Sequence, residues 1–540
     1  MNQSEGNKRF IMAITLVATL GGLLFGYDTA VISGAVKSLQ AFFIDSLYES
    51  TETAAQVVVQ FRIVVSLVVF ILLAAISGLL LKMFGRKKGG IISIILLIAA
   101  AVLLMFTFNA PPELNQETAN SLKGFTISSA LVGCIIGGSL GGFISQTIGR
   151  RNGMITAALL FTISAIGSAL PEALNFMGSE VIISFIFYRI VGGIGVGMAS
   201  MLSPMYIAEI APAKIRGKLV SWNQFAIIFG MLVVYFVNYF ISRLGDDTWL
   251  NEVGWRWMFA SEVIPAALFL FFLLFVPETP RFLVMKERPA DALKILNKIT
   301  GSLRAEQVLS DIKESLKEKR APWLSYGGLL IVIGILLSVF QQFVGINVVL
   351  YYAPEIFRNM GSATDTALLQ TVIVGGINLT FTVIAINTVD KFGRKPLMII
   401  GALGMAVSMF LLGFSFFFQT VGLGTLIFML LYTASFAMSW GPVTWVLLSE
   451  IFPNKIRGVM SVAVAAQWIA NLVISWTFPI MNDNTWLTSI FNHGFSYWIY
   501  GIMGVLAALF VYKLVPETKG RTLEDMEHLW IRKKKAAQVE

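Results

Sequence analysis

Cysteine, histidine and charge are all scarce in this chain of 540 residues. The single cysteine, Cys134, lies in an apolar run, which excludes a disulfide framework and a thiolate metal site. The two histidines, His493 and His528, are far apart and form no ligand cluster. Charged residues make up only 13% and hydrophobic ones 56%, which excludes a string of soluble domains. No nucleophile–base pair or metal motif is present, so nothing points to an enzyme, a metal or an organic cofactor. The formal net charge of +9 does not imply a nucleic-acid partner, because the basic residues fall in short loops between apolar runs.

What the chain has in abundance is membrane-length apolar sequence. Each span needs about 20 apolar residues. Fourteen are expected: 11–36, 58–82, 90–108, 125–147, 154–171, 181–207, 218–241, 256–276, 325–352, 366–388, 397–418, 424–449, 459–480 and 496–515. The first lacks a cleavage site and follows Lys8 and Arg9, so it is expected to stay as a helix. An even number of spans puts both termini on one side. The basic clusters around Arg86, Arg150, Lys214–Lys218, Arg394 and Lys455–Arg457 then all fall on the cytoplasmic side. Residues 277–324 are charged, with apolar residues at helical spacing, and read as a cytoplasmic helical linker. The expected organisation is a bundle over 1–276, the linker over 277–324, a bundle over 325–516 and a cytoplasmic tail over 517–540.

The two halves repeat. Glu209-Ile-Ala-Pro-Ala-Lys-Ile-Arg-Gly217 returns as Glu450-Ile-Phe-Pro-Asn-Lys-Ile-Arg-Gly458, Pro277-Glu-Thr as Pro516-Glu-Thr, and Gly149-Arg-Arg as Gly393-Arg-Lys, at offsets of 241, 239 and 244 residues. A parallel repeat of this size is the plan of a major facilitator transporter, with two six-helix bundles around a midplane site. Eight spans precede residue 277 where six are needed. Gly85-Arg-Lys has no partner in the second half, so the hairpin at about 58–108 is the surplus pair. Gly78, Gly85, Arg86, Gly89 and Ile91 match Gly142, Gly149, Arg150, Gly153 and Ile155, which reads as a partial duplication of the hairpin that follows. Few polar residues mark it, so a lipid-facing position between the first helix and span 125–147 is expected, outside the first bundle.

Polar residues inside spans need a protein partner or a wet cavity. Gln341, Gln342 and Asn347 stand within one apolar run, QQFVGINVVLYYAPEIF. Carboxamides carry donors and acceptors together, which suits a neutral polyol; alternatively they glue helices. Tyr351 and Tyr352 follow, placed to close over a cavity. Further amides within spans are Gln224, Asn378, Gln467 and Asn471. Trp440 precedes Gly441-Pro442, where a kink would let an indole stack on a sugar ring. The charges Asp28, Arg189 and Glu262 lie in different spans. A carboxylate with a mobile arginine partner can bind and release a proton; the alternative is a static ion pair. Gly192-Gly-Ile-Gly-Val-Gly197 follows no strand and reads as close helix packing rather than a nucleotide loop. Arg150, Arg394, Glu209, Arg216, Glu450 and Arg457 mark helix ends where ion pairs could hold the halves closed on the inside, or serve only as topology signals.

These motifs, with PETPRFL, DKFGRK, SWGPVTWVLLSEIFP and VPETKGRTLE, resemble the sugar porter family of the major facilitator superfamily over nearly the whole chain outside 43–120. Within it, GGLLFGYDTAVISG, MLSPMYIAEIAPAKIRGKLVS and AVAAQWIAN resemble the bacterial D-xylose:proton symporters. The resemblance implies sugar contacts at Gln224, Gln341, Gln342, Asn347, Trp440 and Gln467. It implies proton coupling at Asp28 with Arg189, and Glu262 as the associated carboxylate. Family facilitators that use no proton typically carry Asn where Asp28 stands. The expectation is therefore proton-driven D-xylose symport by a monomer in a bacterial-type inner membrane, with both termini cytoplasmic. Its partners would be a monosaccharide, protons and the bilayer. A broad-range or glucose-type hexose symporter, an uncoupled facilitator and a membrane sugar sensor are the alternatives. Two departures stand out. Met231 replaces the Gln that lines the site in the xylose symporters, which weakens strict pentose preference, and the extra hairpin has no place in a twelve-helix plan.

Overall fold

The computed structural model describes residues 7–175, 178–212, 215–317, 321–521 and 525–532. Its described residues are helical throughout, with no strand. Thirteen stretches among them are long and apolar enough to cross a membrane. The fourteenth expected span, 90–108, is the second arm of a broken helix whose side chains are described only in part. The first half comprises α1 (Lys8–Leu39), α2 (Thr51–Asn109), α3 (Gln116–Thr147), α4 (Arg150–Ala169), α5 (Val181–Ile210), α6 (Arg216–Ser242) and α7 (Asp247–Leu273). The second comprises α8 (Gly328–Asn359), α9 (Thr364–Phe392), α10 (Arg394–Phe417), α11 (Leu423–Ile451), α12 (Met460–Asn482) and α13 (Gly494–Leu514).

Short helices at Pro280–Met285, Pro289–Thr300 and Ser302–Ser315 run between the halves. They bury Ala292, Leu296, Ile299 and Ala305, and the Asn7 backbone N–H donates to the Lys298 carbonyl at 2.8 Å. Within the first bundle α3 lies against α5 and α1 against α6. The α3–α5 approach is backbone to backbone: a Cβ on Gly193 would sit 1.8 Å from the Ala130 carbonyl oxygen. The glycine run is thus a packing surface. Three lines of contact join the halves: α3 on α12, α6 on α9, and α1 on the later segment of α8 (Ile346–Asn359).

The repeated motifs converge in space, once in each half. Gly149 turns the chain with φ 101° and ψ 173°, and Gly393 does so with φ 88° and ψ 160°. Both values of φ lie in the left-handed region that favours glycine. After the first turn, the backbone N–H groups of Arg150 and Arg151 both donate to Glu278, at 3.1 Å each. After the second, those of Arg394 and Lys395 donate to Glu517, at 3.1 and 3.0 Å. The guanidinium of Arg150 then reaches Glu209 at 2.8 Å, and that of Arg394 reaches Glu450 at 2.8 Å. Thr279 and Thr518 hydroxyls donate to the same two carboxylates at 2.6 and 2.5 Å. Burial pushes the Glu278 carboxyl above its usual range. Burial also opposes the charge of Glu517, but the N–H groups of Lys519, Arg394, Lys395 and Thr518 outweigh it and hold that carboxyl low.

The third Gly-Arg turn has the same backbone and a different setting. Gly85 breaks α2 with φ 77° and ψ 171°. The two arms fold back on one another. A Cβ on Gly89 would meet the Leu80 carbonyl oxygen at 2.4 Å, and Arg62 donates to the carbonyls of Ala110 and Pro111 at 2.7 and 2.8 Å. Among described atoms a Cβ on Gly85 would meet nothing within 4 Å, whereas one on Gly149 would meet Glu278 and one on Gly393 would meet Glu517. The hairpin is anchored at the opposite end, where Phe61 packs on Phe125 with ring centroids 5.5 Å apart and Gln60 accepts from the Glu180 N–H at 3.0 Å. It therefore rests on α3 and the entry to α5, not between α1 and α3. Its second arm exposes Ile91, Ile94, Ile95, Ile98 and Met105. One edge departs from the lipid-facing expectation, since Leu72, Ala75 and Ile76 line the rim of the central cavity.

Both kinds of turn carry the cost of positive φ, about 1–2 kcal/mol for a non-glycine residue. At Gly149 a Cβ would also lie 2.2 Å from Glu278 Oε2. Gly85→Ala should therefore lose about 1–2 kcal/mol, and Gly149→Ala roughly 3 kcal/mol or more, since its carboxylate lock must open. Thermal unfolding in detergent compares them, and equal losses would contradict this account of the turns.

Candidate functional site

A cavity of ≈ 3530 Å³ lies between the bundles and opens at the end that carries the Gly149 and Gly393 turns, where Arg150, Glu209, Arg216 and Arg394 border it. The other end is closed by contacts between the halves. Tyr235 donates to the Leu350 carbonyl at 2.9 Å, and the Trp476 indole donates to the Ser121 carbonyl at 3.0 Å.

The amides meet in this cavity. Gln224 reaches it from α6, Gln341, Gln342 and Asn347 from α8, Asn378 from α9, and Gln467 and Asn471 from α12. They gather because α8 breaks between its two helical segments at Gly345, with φ 93°. The break brings Asn347 back to donate to Gln342 Oε1 at 2.5 Å. Gln342 donates to Gln341 at 3.4 Å, and Gln341 donates to the Trp440 carbonyl at 2.9 Å. This relay ends on α11 at its own break, Ser439, whose φ and ψ are −131° and −91°. Gln467 lines the cavity, and its Oε1 is buried with no hydrogen-bond partner among the described residues. The wall also includes the apolar Met231 and four tryptophans, Trp222, Trp323, Trp445 and Trp468.

Three expectations change here. The Trp440 side chain does not border the cavity: it is fully buried, and its indole N–H donates to the Met398 carbonyl at 2.9 Å. Only its backbone serves the site, through Gln341. Trp445, five residues on and on the other face of the broken helix, lines the cavity instead. The motif SWGPVTW contains both tryptophans, and only the direction of the helix after Ser439 separates them. Trp468, beside Gln467, was also missed. Second, the tyrosines divide. Tyr351 lines the cavity and its hydroxyl accepts from Asn471 at 3.4 Å, whereas Tyr352 turns into α12 and donates to the Ser475 carbonyl at 2.8 Å. Third, the ion pairs described at the basic end, where the cavity is open, do not cross between the halves. Glu209 pairs with Arg150 and Glu450 with Arg394, each within one bundle, while Arg216 is exposed and donates to the Ala211 carbonyl at 3.4 Å. The Arg457 side chain lies outside the described residues.

Asp28, Arg189 and Glu262 form a separate buried cluster. Arg189 donates to Asp28 Oδ1 at 2.7 Å and to the Asp28 carbonyl at 3.0 Å, with its guanidinium 5.3 Å from the Phe259 ring centroid. Among the described residues no donor reaches Asp28 Oδ2 or either oxygen of Glu262, and the Glu262 carboxyl lies within hydrogen-bonding reach of Asp28. Two carboxylates and one guanidinium carry a net charge of −1 unless one proton is bound, and with it the cluster is neutral. Hydrocarbon strongly favours the neutral count. Asp28 sits on α1 one residue before Thr29, which does line the cavity, so the cluster lies directly behind the cavity wall.

Two bundles in parallel repeat, a midplane amide cavity open at one end, and a buried acid–base cluster beside it define a multi-pass transporter of the major facilitator type. The chain belongs to the sugar (and other) transporter family, whose model matches residues 14–114 and 105–530. The two matched segments meet at the end of the added hairpin. The chain is 54% identical to the D-xylose-proton symporter of Escherichia coli K12 over 542 residues, covering 98% of this chain and 97% of that one. It is 42% identical to the glucose facilitated diffusion protein of Zymomonas mobilis, covering 98% and 99%. Among solved structures it is similar to a partially occluded inward-open conformation of the xylose transporter XylE from E. coli, with a TM-score of 0.76 at 53% identity, covering 95% of this chain and 100% of that chain. An inward-open form of the same transporter matches with the same TM-score.

Losing one sugar hydrogen bond costs about 1–2 kcal/mol, or roughly 5–30-fold in affinity. Gln342→Ala should weaken binding of a cognate sugar by that factor, and Trp445→Ala by about 2–10-fold through lost stacking. Trp440→Phe should lower the melting temperature while leaving affinity within about twofold. Isothermal calorimetry on the purified variants checks all three; strong loss of affinity in Trp440→Phe alone would restore that indole to the site.

Proposed function

We propose that this chain is a proton-coupled symporter that carries D-xylose inward by alternating access. The reading places it in a bacterial inner membrane with both termini and the basic helix ends cytoplasmic. One chain holds a whole cavity, so a monomer suffices. The observation that carries coupling is the buried Asp28–Arg189–Glu262 cluster, which holds one proton in its neutral form and stands directly behind the cavity wall. When Arg189 grips Asp28 the proton belongs to Glu262 or to solvent. When the bundles move and the grip loosens, Asp28 becomes the unpaired carboxylate that needs it. The proton thus moves with the same bundle rotation that exposes the sugar.

Sugar recognition rests on the amides. Gln341 and Gln342 are fixed by the relay, Gln467 offers an open acceptor, and Gln224 faces them from the first bundle. Trp445 and Trp468 supply faces for the sugar's C–H edges.

Asp28→Asn should bind xylose and support counterflow in proteoliposomes while losing accumulation against a gradient. Asn imitates the protonated acid but cannot release the proton. Uphill transport equal to the wild type would refute proton coupling at this residue.

A hexose-accepting reading is favoured by one observation. Met231 borders the cavity on the face of Gln224 and cannot hydrogen-bond a hydroxyl. A missing polar contact shifts selectivity by only about 1–2 kcal/mol. Glucose should bind within roughly tenfold of xylose, and Met231→Gln should widen the gap. Competition binding measures both, and glucose affinity hundreds of times weaker in the wild type would exclude this reading.

A further inference from the structure

At the closed end of the cavity, one lysine of the first bundle is held between two carboxylates of the second. Lys123, on α3, lies 2.5 Å from Glu355 Oε1 on α8 and 2.8 Å from Asp483 Oδ2 at the end of α12. Its side chain is 6% exposed, against 12% and 23% for the carboxylates. Around it the same two bundles are pinned by Asn120, which donates to the Asp483 carbonyl at 3.1 Å and accepts from Gln116 at 3.0 Å. One residue on, Gly124 is so close to α12 that a Cβ would lie 2.1 Å from the Trp476 carbonyl oxygen. Other charge contacts at this end are weaker. Arg243 and Asp365 are 3.8 Å apart and 59% and 50% exposed, and such pairs contribute little. At the open end the buried ion pairs stay within each bundle. The Lys123 cluster is therefore the one strongly desolvated charge contact described between the halves.

Its position on α8 links it to the sugar site. Asn347, Tyr351 and Glu355 are spaced by four residues, so they lie along one face of the second segment of α8. One end of that face touches the amide relay, the middle meets Asn471 across the cavity wall, and the other end is gripped by Lys123.

We propose that Lys123 is a positioning residue of the transport cycle. By gripping Glu355 and Asp483 it latches the far end of the cavity shut and sets the ratio of inward-facing to outward-facing molecules. Opening outward must separate α3 from α8 and α12, and so must break both ion pairs or carry the lysine away from one partner. Breaking a buried pair is strongly unfavourable, so the latch biases the resting state toward the inward-facing form. The proposal rests on the alternating-access reading above, but not on which sugar is carried or whether protons are coupled.

The test is a distance measurement without sugar. Spin labels at Glu117→Cys and Thr485→Cys, both exposed and on opposite halves at the far end, are placed in a Cys134→Ser background. Double electron–electron resonance in nanodiscs should give one short distance. Lys123→Met should add a longer one, with the open-to-closed ratio at the far end raised at least about tenfold, and Lys123→Arg should retain the closed distribution. Asp483→Asn, which removes one grip without stranding the lysine, should shift the ratio the same way by a smaller factor. It decides the matter if Lys123→Met does not fold. An unchanged distribution in Lys123→Met, or in Asp483→Asn where the first cannot be purified, overturns the latch. D-xylose counterflow by the wild type is measured alongside. Its absence would count against the proposed function while leaving the distance result to stand.

Discussion

Hydrocarbon offers no hydrogen bonds, so every polar group carried into it must find a partner inside the protein or face a water-filled space. That constraint sorts the polar residues of this chain. Ser and Thr hydroxyls within the spans mostly donate to carbonyls three or four residues back along their own helix, as Thr126, Ser128 and Thr371 do. Those groups are satisfied locally and carry no site. The amides of α8 are satisfied by one another in a relay that leaves one edge toward the cavity. Gln467 Oε1 and both carboxylate oxygens of Glu262 are among the buried side-chain atoms that no donor satisfies. Each such group costs free energy until a hydrogen-bond partner or a proton arrives.

Alternating access also needs two bundles that move as bodies. The Gly-Arg turn, the Glu of the Glu-Ile-x-Pro motif and the Glu of the Pro-Glu-Thr motif tie three helix ends together within each half, by charge-assisted hydrogen bonds to backbone and side chain. Because these locks lie inside a bundle, separation of the bundles leaves them intact. The hairpin shows what a copy of the turn does without them. Its backbone also takes a positive φ at Gly85, yet no described atom would meet a Cβ there, and the hairpin is held by aromatic packing at the opposite end. It adds an edge to the cavity rim without entering the lock of either half.

The break at Gly345 places recognition and closure on one short rod. A helix segment that begins at the amide relay and ends at Glu355 transmits a change at one end to the other, because its hydrogen-bonded backbone is stiff over three turns. The amide relay and the Lys123–Glu355 contact are therefore joined by one helix segment rather than by a long chain of side chains.

The sequence by itself determined the class of fold, the repeat and the identity of the groups available for chemistry. Apolar run length sets the number of spans, and recurrence of three motifs at nearly one offset marks two equivalent halves. Amides and charges within spans are conspicuous, because nothing in hydrocarbon satisfies them. Which of them face the cavity was decided only by tertiary structure. Trp440 and Trp445 stand five residues apart in one motif, and a backbone break at Ser439 sends one indole into the bundle and the other to the cavity. Tyr351 and Tyr352 are adjacent, and roughly 100° of helical rotation separates the cavity wall from the α12 interface. Arg150 and Glu209 carry charges whose pairing depends on which helix ends meet, so a partner across the halves and a partner within one are indistinguishable in sequence. Lys123 gave no signal at all. It stands at the edge of an apolar run, where a lysine ordinarily snorkels to water, and only the approach of α8 and α12 turns it into a buried ion contact.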